Sequence, residues 1–151
     1  MIEVEQETPH QAELLPLFQA SEDYSAALYP AESNHTLPVA ELAAAHVRFF
    51  VARLDGRAVG CAALVLQGDG EAELKRMFVA DAARGQGAGR ALMQRIEETA
   101  RREGVRVLRL ETGIKNAEAL ALYRRAGFGE RGPFGSYGPD PLSVFMEKRR
   151  S

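Results

Sequence analysis

The chain has 151 residues, 46% of them hydrophobic, and a formal net charge of −2. That length suits one domain over residues 1–151 with a single core, and the near-balanced charge provides no global field to recruit nucleic acid or an anionic membrane. The lone cysteine, Cys61, sits in an apolar run, which excludes an internal disulfide and fits a reducing, cytoplasmic setting; Met1-Ile2-Glu3-Val4-Glu5 is acidic where a secretion signal is basic, and no apolar run is long enough to span a bilayer.

Residues 2–6 alternate apolar and polar, the pattern of a first strand. Residues 9–29 carry Leu14, Leu15, Leu17, Phe18 and Ala26-Ala27-Leu28 and read as one or two short helices, broken by Pro30 and the polar Glu32-Ser33-Asn34-His35. Asn34-His35-Thr36 matches a glycosylation sequon, which carries no meaning without a secretion signal. Residues 38–45 read as a further short helix with proline near its start. Residues 47–54 and 58–66 are strands joined by Asp55-Gly56, a good hairpin turn, and Gly68-Asp69-Gly70 leads into a third strand at 72–79. Three strands on two short turns form an antiparallel meander.

The periodicity then changes. Residues 88–103 place Leu92, Ile96 and Ala100 at helical spacing, and Gly104 ends the helix. Residues 105–111 are a strand, parallel to 72–79 because a helix separates them. Asn116 caps a helix that runs through Ala126 and is stopped by Gly127. A strand at 128–131, a Gly/Pro-rich loop at 132–141 and a final strand at 142–148 complete the order β-α-α-β-β-β-α-β-α-β-β.

Residues 84–89 read Arg-Gly-Gln-Gly-Ala-Gly and stand between the strand ending at Val79 and the helix beginning near Gly89. A helix start has unpaired N–H groups and a partial positive charge that attract phosphate. No Ser, Thr, Asp or Asn caps this one. Glycines at 85, 87 and 89 remove side chains where a ligand approaches the backbone, and Arg84 adds a full charge. A P-loop requires Gly-Lys-Ser/Thr, but Arg90-Ala91 follows Gly89; a dinucleotide fingerprint requires a third glycine where Arg90 or Leu92 stands. The remaining pattern, Arg84-x-x-Gly87-x-Gly89, resembles the pyrophosphate loop of the GCN5-related N-acetyltransferase (GNAT) family. The helix Asn116-x-x-Ala119-x-x-x-Tyr123 and the Gly127-Phe128 pair resemble the same family at matching spacing.

The resemblance implies an α/β GNAT fold with a mixed central sheet, and acetyl-CoA as cofactor. It implies that strands 72–79 and 105–111 splay at a bulge to admit the pantetheine arm. The backbones of Met77, Phe78 and Val79 would line that gap, with one N–H on the acetyl carbonyl. The loop Arg84, Gly85, Gln86, Gly87, Ala88 and Gly89, with Arg90, would hold the pyrophosphate; Asn116, Ala119, Leu122 and Tyr123 would flank the arm. Tyr123, a phenol of ordinary acidity, would supply a proton to the departing thiolate. Glu73, eleven residues before Arg84, matches the family's general-base glutamate, with Glu71, Glu111 or a water as competitors. Covalent catalysis by Cys61 is not implied, and His10, His35 and His46 have no metal-ligand spacing with one another or with Cys61.

Acceptor contacts fall by resemblance on the N-terminal helices and the loop before the last strand: Tyr24, Tyr29, His35, Phe134 and Tyr137, with Glu111 from the second splayed strand. Lys75 and Arg76 could meet a carboxylate on the acceptor. The absence of a dense acidic run disfavours polyamines and histone tails, leaving a small amine or amino-acid-like acceptor. The alternatives are a non-catalytic acyl-CoA-binding or regulatory module, a protein N-terminal or lysine acetyltransferase, and an unrelated nucleotide-binding domain. A homodimer is compatible with the chain.

Overall fold

A computed structural model describes residues 1–33 and 35–150; Asn34, and with it the sequon, lies outside the described residues. The strands are β1 (Ile2–Gln6), β2 (Val47–Leu54), β3 (Arg57–Gly68), β4 (Glu71–Val79), β5 (Val107–Gly113), β6 (Gly129–Arg131) and β7 (Ser143–Arg149). The α-helices are α1 (Leu15–Leu28), α2 (Ala88–Arg102) and α3 (Ala117–Arg125). The strands form one mixed sheet in the order β1-β2-β3-β4-β5-β7-β6. Every pairing is antiparallel except β4 with β5, as expected for two strands joined through a helix.

Side chains alternate across a strand, and β2 uses both sides. Phe50 and Ala52 enter a core with Leu92, Ile96 and Ala100 of α2 and Tyr123 of α3. Phe49 and Val51 enter a second core with Leu17 and Phe18 of α1 and Leu42. The sheet is therefore covered on both faces, which is why β2 and β3 read as near-continuous apolar runs.

Several boundaries differ from the sequence reading, three of them with a clear physical reason or consequence. The helix expected over 38–45 is a 3-10 turn, Val39–Ala43, closed where Ala44 takes extended angles to enter β2; five residues are too few to repay α-helix nucleation. The N-terminal segment is a 3-10 turn, Ala12–Leu14, running directly into α1, with proline in the first turn, where its missing N–H costs nothing. β5 starts and ends two residues later than expected, so Glu111 lies within it, opposite Phe145 of β7.

β4 and β5 pair only between Glu71–Leu74 and Val107–Leu110; beyond this they part. On its other side β4 carries a bulge: Cys61 faces Phe78 and Ala63 faces Lys75, so one residue of β3 opposes both Arg76 and Met77. Arg76 takes φ +58 there, a left-handed conformation that costs a non-glycine residue about 1–2 kcal/mol. Its side chain anchors the distortion. The guanidinium donates to the Leu37 carbonyl at 2.9 Å and to Glu22 of α1 at 3.3 Å, and the Cys61 thiol donates to the Arg76 carbonyl at 3.3 Å. Burial pushes that thiol up to about 12, so it stays protonated.

Candidate active site

A groove of about 1050 Å³ runs from the parted strands to the start of α2, lined by Met77, Phe78, Val79, Arg84, Gly85, Gly87, Ala88, Gly89, Arg90, Asn116, Ala119 and Leu122. Gly87 is the N-cap of α2 with φ +86 and no capping side chain. The Ala91 N–H bonds the Gly87 carbonyl, so the N–H groups of Ala88, Gly89 and Arg90 have no partner within the helix. A fifteen-residue helix thus opens toward the groove with free donors and the positive end of its dipole. Gly85 also has a positive φ, +79. A Cβ at Gly85 or Gly87 would meet no protein atom, whereas one at Gly89 would lie 3.2 Å from Leu122 Cδ2. Backbone conformation therefore favours glycine at the first two positions, and close α2–α3 packing favours it at the third. Gln86 drops out of the groove: its N–H is spent on the Ala83 carbonyl. Arg84 is held by Asp81 and Glu118, each at 3.1 Å.

A second cavity, of about 120 Å³, lies on the β5 side of the gap and includes Tyr29, His35, Glu73, Lys75, Glu111, Thr112, Tyr123 and Tyr137 in its lining. The groove and cavity share Ser21, Ser25, Met77 and Asn116. Tyr123 is buried, its hydroxyl has no hydrogen-bond partner among the described residues, and desolvation followed by the Glu111 charge raises its pKa. That corrects the expectation of ordinary acidity. The phenol stays neutral and acts as a hydrogen-bond donor more readily than as a free acid.

Glu73 is buried and fully engaged. Its Oε2 accepts from the Tyr137 hydroxyl at 2.5 Å and its Oε1 from Gln67 at 3.2 Å, while the Lys75 ammonium, 3.6 Å away, donates to the Tyr137 hydroxyl at 2.7 Å. Tyr137 is raised in pKa by burial and by the Glu73 hydrogen bond and charge. Glu111 is the contrasting carboxylate. Ser143 donates to its Oε2 at 2.8 Å, and its Oε1 has no donor among the described residues. Burial raises its pKa. The competitor Glu71 is tied to Arg109 at 2.6 Å.

Asn116 holds the N-cap position of α3 but makes no capping hydrogen bond. Its Oδ1 accepts from the Tyr29 hydroxyl at 2.9 Å and its Nδ2 donates to Thr112 at 3.2 Å; a tertiary partner has displaced the local cap. Tyr29 reaches this point across Gly113, where a Cβ would sit 2.0 Å from the phenol oxygen. Two expected acceptor contacts lie elsewhere. Tyr24 lines the groove, its ring 6.3 Å from Phe78 and under the Arg84 guanidinium. Phe134 is buried against Tyr137 and Phe145, behind the cavity wall. Arg76 turns to Leu37 and Glu22 but keeps its buried Nη1 without a partner among the described residues, and Lys75 donates to Tyr137; both residues line the cavity. Ser21 and Ser25, one helical turn apart on α1 and present at the junction, were missed; their i, i+4 spacing was the available signal.

The family model for the acetyltransferase (GNAT) family matches residues 12–128. An IAA acetyltransferase of Azospirillum brasilense is 49% identical over 148 residues, covering 97% of each chain. The uncharacterised N-acetyltransferase YsnE of Bacillus subtilis is 34% identical over 122 residues, 80% of this chain and 81% of that one. A solved structure from Klebsiella pneumoniae, of acyl-CoA N-acyltransferase type, superposes with a TM-score of 0.83 at 38% identity, covering 99% of this chain and 97% of that one. The uncapped helix, the parted strands and these relatives agree: the chain belongs to the GNAT acetyltransferase family and is an acyltransferase whose cofactor is acetyl-CoA.

Proposed function

We propose that residues 1–151 act as one domain that moves the acetyl group to the primary amine of a small molecule, by direct attack with both substrates bound. The observation that carries this reading is the meeting of two unequal cavities at Met77, Asn116, Ser21 and Ser25, with the Tyr123 side chain beside the junction. A volume of about 120 Å³ suits a compact acceptor, which favours a small molecule over a protein N-terminus or lysine. Bound acetyl-CoA supplies an activated thioester. The α2 N-terminus and Arg90 would hold its pyrophosphate, with Arg84 exchanging Asp81 and Glu118 for phosphate. A backbone N–H among Met77, Phe78 and Val79, released by the bulge, would donate to the carbonyl oxygen as charge develops there, where a fixed donor is worth most. The Tyr123 hydroxyl would donate to the sulfur.

No described helix is long and apolar enough to cross a membrane, and a buried, free Cys61 suits a cytoplasmic setting. The test is an acceptor screen that reads thiol release and product mass, over small alkylamines, arylamines and amino acids, with IAA included because the Azospirillum relative bears that name. Acetylated small amines are expected. Turnover confined to protein substrates, or to acceptors without an amine, would overturn the reading; acetyl-CoA binding with no turnover on any acceptor would favour a regulatory module.

A further inference from the structure

We infer that Lys75 and Arg76 form a seat for a carboxylate on the acceptor, which makes a small amino acid, rather than a plain amine, the acceptor class of this cavity; the inference rests on the amine reading above. Consecutive strand residues point to opposite faces, so an unbroken β4 would send these two cations apart. The bulge prevents this. Lys75 stands opposite Ala63, a member of the second core, and residues directly opposite share a face. Arg76, with φ +58, lays its guanidinium over Phe18 of the same core, 5.3 Å from the ring centroid. Two adjacent cations therefore share the α1 face of the sheet, and both line the small cavity.

Neither cation has its donors filled. The Lys75 ammonium has three N–H groups. Among the described residues it uses one, on the Tyr137 hydroxyl, and Glu73 at 3.6 Å is beyond hydrogen-bond reach. Arg76 commits Nε to the Leu37 carbonyl and Nη2 to Glu22, but its Nη1 is buried without a partner among the described residues. A buried charged donor left without an acceptor is costly, and an anion in the cavity removes that cost. The Arg76 side chain is 2% exposed while Glu22 is half-exposed, so water weakens the one ion pair the guanidinium has. Ser21 and Ser25 bring hydroxyl donors from α1 to the same wall. Glu73 and Glu111 stand in that wall too. Two cations and two carboxylates around one small space suit a zwitterion, with one charge of each sign, better than a plain amine. They also suit a singly charged carboxylate better than a doubly charged phosphate, which the two glutamates would repel twice as strongly.

The position fits as well. Lys75 and Arg76 directly precede Met77, where the cavity meets the groove. A carboxylate held there places an amine a few bonds away at the junction, so the seat acts on the binding and aim of the acceptor.

Glycine, alanine, β-alanine and leucine each have a primary amide of the same shape that keeps the amine and loses the anion. The wild type should prefer the best acid over its amide by about 10- to 100-fold in kcat/KM, chiefly through KM, the scale of a hydrogen bond to a charged group. Amine availability runs the other way, because a nearby carboxylate favours the ammonium and leaves less free amine in the acid. Lys75→Gln and Arg76→Gln should each reduce the preference about tenfold or more, and Arg76→Lys should keep part of it. Arg76→Gln also loosens the bulge, so its kcat should fall on acid and amide alike, a loss that the ratio cancels. Where Arg76→Gln fails to fold, Lys75→Gln decides alone. Propionate, which is alanine without its amine, should compete with the acids and raise the wild-type melting temperature, and propionamide should do neither. Acids and amides used equally by the wild type, or a preference that survives in every folded Gln variant, would overturn the seat. Plain alkylamines acetylated faster than any amino acid would overturn it and leave the amine reading standing. A wild type that acetylates no amine of any kind would sink the amine reading itself, and this inference with it.

Discussion

The groove and the cavity meet at the same four residues yet are built by different means. The groove is a backbone device. The donors proposed for it are peptide N–H groups at the start of α2 and in the bulge, and its shape depends on φ +79 at Gly85, φ +86 at Gly87 and the packing of Gly89 on Leu122. The cavity is a side-chain device. Glu73 and Glu111 come from strands, Tyr29 from the C-cap of α1, Tyr123 from α3 and Tyr137 from a loop; hydrogen bonds position all but Tyr123, which packing holds. A backbone site tolerates almost any side chain that leaves the conformation alone, so it suits an invariant ligand. A side-chain site can be re-specified one residue at a time, so it suits an acceptor that differs among relatives sharing the cofactor.

The contrast is sharpest at Tyr123, a side-chain group at the boundary. Tyr123→Phe keeps the buried ring among Leu120, Phe128 and their neighbours but removes the donor. The expected result is a fall in kcat of about 100-fold, the usual scale for a positioned acid, with acetyl-CoA affinity unchanged by calorimetry. Loss of affinity with retained kcat would place Tyr123 in the groove's machinery and erase the distinction.

Gly113→Ala should come next in size. The added Cβ would overlap the Tyr29 phenol, and Tyr29 is held there by donating to Asn116 and accepting from the Lys115 N–H at 3.0 Å. Overpacking of this kind costs about 1–3 kcal/mol, which denaturant titration reads directly. Expelling the phenol also frees Asn116, at the junction, so acceptor KM should rise. A double variant with Tyr29→Phe should recover little, because ring carbons Cζ and Cε2 would still lie 2.1 and 2.7 Å from the added Cβ, whereas Tyr29→Ala removes the overlap.

The same division explains what could be read from sequence. The glycine loop, the Asn116-to-Tyr123 spacing and Gly127-Phe128 are local patterns, and local patterns survive without knowledge of packing. The meander followed by a parallel crossover was legible because turn residues and hydrophobic period determine it. The cavity was less so. Phe134 and Tyr137 are three residues apart in a loop with no periodicity to say which faces inward; only the packing against Phe145 decides it. Asn116 obeys the capping rule in position but not in bonding, because Tyr29, 87 residues away in sequence, claims its oxygen. The resemblance ranks Glu73 ahead of Glu111 as base, but the local sequence does not show how their partners differ, since these come from Gln67, Tyr137 and Ser143.

Within the groove, two glycine substitutions separate conformation from space. Gly87→Ala forces a side chain into the left-handed region, a cost of about 1–2 kcal/mol, and should weaken acetyl-CoA binding because the loop would relax away from the geometry that exposes the α2 donors. Gly89→Ala gains about 1 kcal/mol of helix propensity and meets only the end of the Leu122 side chain. Its net stability should stay within about 1 kcal/mol of the wild type, with affinity nearly intact. Equal effects from both would mean that ligand clearance, not backbone conformation, governs this turn.

The smallest expected effect concerns charge at the groove's mouth. Arg84 is paired with Asp81 on its own loop and with Glu118 in the first turn of α3. Glu118 also lines the groove, so with the pyrophosphate placed as proposed it would compete with the ligand for Arg84 and repel the ligand directly. Glu118→Gln removes both disadvantages. The pair is largely exposed, and exposed pairs are worth at most about 1 kcal/mol, so the gain in acetyl-CoA affinity should be about two- to fivefold at low ionic strength. It should disappear near 1 M salt, where the screening length falls to about 3 Å. Arg84→Ala should weaken binding by a similar factor with the same salt dependence. If Glu118→Gln weakened binding instead, the Arg84–Glu118 contact would be holding the loop in its binding geometry, and the groove would depend on a side-chain bridge in the way the cavity does.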